Sequence, residues 1–140
     1  MGHQFYRIFL FFFLSASLYL LTACTTSMED FYEEGEGIIT QLIQELGSIH
    51  TREDLLKETP QLKKLFNRLV DVIIATREFQ LSHFNVQGND RQNYELSETL
   101  RLELNRIYSL EGGRKIIENC QEQALNRLDT FEKRINKKQN

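Results

Sequence analysis

Tryptophan is absent from this chain of 140 residues, proline occurs once (Pro60), and cysteine occurs twice (Cys24 and Cys120). Two thiols and three histidines are too few for a disulfide framework or a Cys/His zinc module. A single proline, among many Leu, Glu, Arg and Gln, leaves little to interrupt helices. There is no excess of positive charge: the net charge is −3 and the pI about 5.7, which removes the electrostatic footprint of a nucleic-acid binder. Period-two alternation and Asn-Gly turns between apolar runs are missing as well, which argues against a fold built on β-hairpins. No Gly-x-Ser-x-Gly and no phosphate-cradling glycine loop occurs.

One long apolar run is present. Residues 8–21, IFLFFFLSASLYLL, are fourteen residues without a charge, preceded by His3 and Arg7. A bilayer-spanning helix needs about 20 apolar residues, whereas the apolar region of a signal peptide needs about 7 to 15. The run fits the second description. An ordinary secretory signal cleaved near Ala23 and an uncleaved anchor are the alternatives.

The residues that follow, Leu21-Thr22-Ala23-Cys24, resemble the lipobox of bacterial lipoproteins, a leucine and two small residues before a cysteine. The resemblance implies a diacylglycerol thioether on Cys24, cleavage just before it, and acylation of the new amino group by a chain such as palmitate. It covers the signal region alone. Thr25, where an aspartate would retain a lipoprotein in the inner membrane, implies the outer membrane if the source has two, and the plasma membrane otherwise. The expected divisions are a signal peptide at 1–23, a lipidated cysteine and acidic tether at 24–37, and a helical domain at 38–140.

The chain from Cys24 onward holds 16 basic and 20 acidic side chains, net −4. Residues 24–60 contain nine acids against Arg52 and Lys57, and residues 112–140 contain seven bases against four acids. This arrangement places acid beside the lipid and base far from it; the preference of acids for helix N-termini and bases for C-termini is the plainer account of it. Within 25–37, Gly35 and Gly37 favour a non-helical tether, while Ser27 followed by Asp30 offers an earlier helix start.

Helical spacing then becomes clear. Ile38, Ile39, Leu42, Ile43 and Leu46 form one stripe ending at Gly47. Thr51 with Asp54 reads as a short turn, and Thr59-Pro60 as the start of a helix running to about residue 86, with Gly88 ending it. Leu62, Leu65, Phe66, Leu69, Val70, Val72, Ile73 and Ile74 make that helix apolar on more than one side, so it is expected to be the most buried. Asn89 and Gln92 could cap a third helix carrying Leu96, Leu100, Leu104 and Ile107. After Gly112-Gly113 a fourth carries Ile117, Cys120, Ala124, Leu128, Phe131 and Ile135. The expected fold is all-α: a small antiparallel bundle of three to four helices joined by short loops, after an N-terminal signal helix and the acidic tether.

Few residues point to chemistry. Glu45/His50 and Glu78/His83 are five apart, about 140° around a helix, rather than on one face as a Glu-x-x-His metal site requires. No catalytic group, cofactor or metal is expected, and Cys120 reads as a small core residue. Glu33, Glu34 and Glu36 lack the spacing of a calcium loop. Phe31 and Tyr32 fit either lipid headgroups or the bundle. Lys133, Arg134, Lys137 and Lys138 form a solvated helix end, with an anionic partner as the alternative. The wall-linked lipoprotein that ends in lysine is similar only in class, since here the end is Gln139-Asn140. The sequence thus reads as a lipid-anchored envelope protein that binds or scaffolds a protein partner, without nucleic acid. The alternatives are a subunit of an envelope assembly or homo-oligomer, and a small enzyme or ligand carrier with a pocket near His83 or Tyr108.

Overall fold

Two reciprocal capping boxes start the first two helices. In the computed structural model, which describes residues 27–83 and 94–139, the Ser27 hydroxyl accepts from the Asp30 N–H at 3.3 Å. The Asp30 carboxylate in turn accepts from the Ser27 N–H at 2.6 Å. This begins α1, Met28–Ser48. Thr51 and Asp54 repeat the arrangement at 3.1 and 2.9 Å and begin α2, Arg52–Ser82. The remaining described helices are α3, Tyr94–Tyr108, and α4, Gly113–Gln139. The all-α bundle expected from the periodicity is what the structure shows.

Two boundaries differ from the sequence reading. Residues 28–37 are not an extended tether; they are the first turns of α1. Each interior glycine costs about 1 kcal/mol relative to alanine. The capping box, worth about 0.5–2 kcal/mol, and the packing of Phe31 and Ile38 outweigh that cost. At Gly35 a Cβ would stand 3.8 Å from Val72 Cγ1, so α1 runs close to α2 there. The second difference is at Pro60, which lies inside α2 rather than at its start. Proline leaves the Leu56 carbonyl without its N–H partner. Leu56 and Pro60 both face solvent, while Leu55, Leu62 and Leu65 on either side are fully buried. Water can therefore serve the carbonyl while the core holds both halves of the helix. Gly88, Asn89 and Gln92, expected to end α2 and cap α3, lie outside the described residues.

Cross-helix contacts give the topology. Phe31 meets Phe79 edge-on at 5.6 Å and Gln41 accepts from Arg68 at 3.3 Å, so α1 and α2 run antiparallel. Cys120 approaches Thr59, Arg127 reaches Asn67 and Asp71, and Arg134 reaches Glu78, so α4 runs parallel to α2. Arg106 near the end of α3 reaches the end of α1, and Leu96 near its start lies by Phe31, so α3 runs parallel to α1. Two antiparallel hairpins, α1–α2 and α3–α4, therefore stand side by side. The packed neighbours are α1–α2, α2–α4, α4–α3 and α3–α1, leaving α1 opposite α4 and α2 opposite α3.

The core is wholly apolar among the described residues. α2 supplies Leu55, Leu62, Leu65, Phe66, Val70 and Val72, and is the most buried element as its broad stripe foretold. Each such side chain contributes about 1.5–3 kcal/mol on burial. By contrast α3 buries only Ile107.

Candidate functional site

Cys24, the residue assigned to lipid attachment, lies outside the described residues together with the rest of 1–26. Among the described residues no helix is long and apolar enough to cross a membrane. The structure does place the departure point of that segment: Ser27 caps α1 at one end of the bundle. The chain path brings the C-terminus of α4 to the same end, because Arg134 and Phe31 both lie against the last turns of α2, at Glu78 and Phe79. Acid and base are thus not separated across the molecule as the linear charge distribution implied. Four helices with consecutive members antiparallel return the basic end of α4 to the start of α1.

The histidines and acids are spread rather than gathered. His83 closes α2: its ring stacks on Phe79 at 4.1 Å, and Nδ1 lies 3.0 Å from the Phe79 carbonyl and 2.9 Å from the Ser82 hydroxyl. Glu78 faces Arg134 at 3.8 Å. His50 is exposed and its backbone N–H donates to Asp54 at 3.1 Å. That bond, with those from Thr51, holds the Asp54 carboxyl below the usual carboxylate range. No group of three or more metal-binding side chains occurs among the described residues.

Glu33 and Glu34 point to solvent on the outer face of α1. Phe31 is packed against the core, whereas Tyr32 is half-buried at a groove edge. Lys133 and Lys137 are exposed; Arg134 lies 5.4 Å over the Phe131 ring, and the Lys138 side chain lies outside the described set. Tyr108 is half-buried beneath Arg114, 4.7 Å from its ring, and lines neither groove described below.

Cys120 is fully buried, with Sγ 3.9 Å from the Thr59 carbonyl. Burial pushes its thiol pKa up against the smaller opposing effects of Lys63 and Thr59. A thiol that is both inaccessible and undissociated is inert. In native buffer Cys120 is expected to react with an aromatic disulfide reagent only as fast as the bundle opens, and at once in strong denaturant. A fast native reaction would show that α4 is not seated on α2.

Two concavities stand out among the described residues. One of about 640 Å³ follows the α2–α4 seam, with Lys63, Arg127 and Arg134 on its wall. Most of its lining residues are polar, and Arg127 and Arg134 already engage Asp71 and Glu78. The other, of about 450 Å³, lies between α1 and α2 with the start of α3 at its edge. Phe31, Gly35 and Ile39 form its α1 wall, a row at i, i+4 and i+8 with Gly35 as the gap. Leu69, Val72 and Ile73 form the apolar part of its α2 wall, which Thr76, Arg77 and Gln80 continue. Sequence reasoning did not find this groove. The signal was there: a glycine interrupting an otherwise apolar helical row.

No family model, no curated protein and no solved structure matches this chain.

Proposed function

We propose that the chain is a lipid-anchored bacterial envelope protein whose helical bundle binds or scaffolds a partner protein. The observation that carries this reading is Leu21-Thr22-Ala23-Cys24 placed directly after a fourteen-residue apolar run. The bundle supports it, since Ser27, three residues after the cysteine, already caps α1. Two or more acyl chains on Cys24 would hold the domain stably at a membrane, each buried methylene adding about 0.8 kcal/mol. Thr25 after the cysteine favours the outer membrane in a two-membrane cell.

Metabolic labelling with a fatty acid tests the anchor. The wild-type chain is expected to take up label and to fractionate with membranes, and Cys24→Ala to do neither. Label persisting on the variant would remove the proposal.

A second reading, a carrier with a pocket between helices, is favoured by the apolar groove between α1 and α2. The assembly-subunit reading has less support, because the exposed apolar residues Leu56, Ile73, Leu81, Tyr94, Leu102 and Leu125 are distributed over α2, α3 and α4.

A further inference from the structure

The apolar groove reaches, at Phe31 and Gln80, the end of the bundle where α1 begins. Phe31, its first wall residue, lies just inside the Ser27 cap of α1, and the groove follows α1 to Ile39, a rise of about 12 Å. Cys24 precedes Ser27 by three residues, which span at most about 10 Å. A chain attached to the Cys24 sulfur therefore reaches the groove without any rearrangement of α1.

We infer that this groove receives one acyl chain of the lipid carried by Cys24. The inference rests on the lipoprotein reading above and deepens it by giving the anchor a second place to reside. The lining matches an alkyl chain: Phe31, Ile39, Leu69, Val72 and Ile73 offer carbon surface, and Gly35 withholds the side chain that would fill the middle. The volume of about 450 Å³ lies within the range of sites that enclose small apolar molecules. The lining also carries polar and charged groups, Tyr32, Glu36, Thr76, Arg77 and Gln80, which suit the hydrophilic linkage of an acyl chain rather than its alkyl body. A second copy of this chain is a poorer occupant, since the exposed Leu56, Ile73 and Leu81 of α2, Tyr94 and Leu102 of α3 and Leu125 of α4 include no pair at i, i+3 or i, i+4 that would form an apolar stripe to insert. Sheltering a chain in the groove would lower the water-exposed apolar surface of the protein whenever the lipid leaves a bilayer.

The test uses the full chain made in cells fed a photoactivatable fatty acid, then purified, irradiated and mapped by mass spectrometry. Incorporation at Cys24 with crosslinks inside the same chain to Ile39, Leu69 or Ile73 is the expected result. Gly35→Trp fills the groove and is expected to abolish those crosslinks while leaving Cys24 labelled. Ile73→Glu, at a position 37% exposed and therefore tolerant of substitution, should do the same if the tryptophan variant fails to fold. Label on Cys24 with crosslinks only to bilayer lipid overturns the groove inference and leaves the anchor standing. Crosslinks between two chains overturn it in favour of a dimer. Absence of label from Cys24 overturns the anchor reading itself.

Discussion

Gly113→Ala is expected to destabilise the bundle by about 3 kcal/mol or more, the upper end for forcing atoms into a packed site. An added Cβ would stand 2.0 Å from the Ile107 carbonyl oxygen and 3.1 Å from its carbon. The obstacle is backbone, so no side-chain rotation relieves it. The last turn of α3 would have to move, carrying Ile107, the sole buried residue of that helix, out of the core. The movement also strains the turn, in which Leu110 donates to Ile107 at 3.0 Å and Gly113 to Leu110 at 2.9 Å. Its neighbour Gly112 has φ +69°, a left-handed conformation that costs a side-chain-bearing residue about 1–2 kcal/mol. Gly37, in contrast, is exposed with nothing within 4 Å of a Cβ, and alanine there is expected to stabilise by about 0.5–1 kcal/mol. Urea unfolding followed by far-UV circular dichroism should rank the three variants in that order. A Gly113→Ala protein within about 1 kcal/mol of wild type would show that the α3–α4 turn is looser than this geometry.

What could be read from the sequence divides along the range of the interaction. Both capping boxes are local patterns, Ser27 with Asp30 and Thr51 with Asp54, and both residue pairs were visible before any coordinates. Local signals compete there: Thr59-Pro60 marks a helix start as Thr51 does, and Gly35 and Gly37 favour a break where the Ser27 box favours a helix. Helix propensity is set per residue, whereas burial of Leu55, Leu62 and Phe31 is set by partners far along the chain, and burial prevailed. The helical class and the central place of α2 followed from apolar spacing alone. The pairing of α3 with α1 did not, because it depends on one buried isoleucine and on an arginine whose acceptors lie 57 and 60 residues away. The groove had a local trace, the Phe31–Gly35–Ile39 row, but its other wall belongs to α2. Cys24 is the opposite case: its pattern is complete in the sequence and lies outside the described structure.

That long-range arginine carries the second large effect. Arg106→Met is expected to lower stability by about 2 kcal/mol, with the urea dependence of unfolding unchanged. α1 ends without a basic residue in its last turn, so its own sequence offers its final carbonyls no positive charge, only neutral donors: the Ile49 N–H on Leu46 and the Ser48 hydroxyl on Glu45. Arg106 reaches across from α3 to supply that charge. One terminal nitrogen donates to the Ile49 carbonyl at 2.6 Å, the other to the Leu46 carbonyl, and Nε donates to Glu103 at 2.9 Å. Leu46 and Ile49 are both fully buried, so their oxygens gain little water when the guanidinium is removed. A lost charge-assisted bond of this kind is worth about 1.5–3 kcal/mol. The side chain of Arg106 is 37% exposed, so solvent recovers part of that and the total stays near the single-bond figure. Methionine keeps the apolar stem over the helix, which isolates the head group as the cause. Arg106→Lys retains the charge but not the fork that spans two carbonyls, and is expected to lose about half as much. Glu103→Gln should cost under about 1 kcal/mol, since it removes only a partly solvated ion pair. If Arg106→Met and Glu103→Gln cost the same, the ion pair rather than the carbonyl contacts holds α3 to α1, and this account of the junction is wrong.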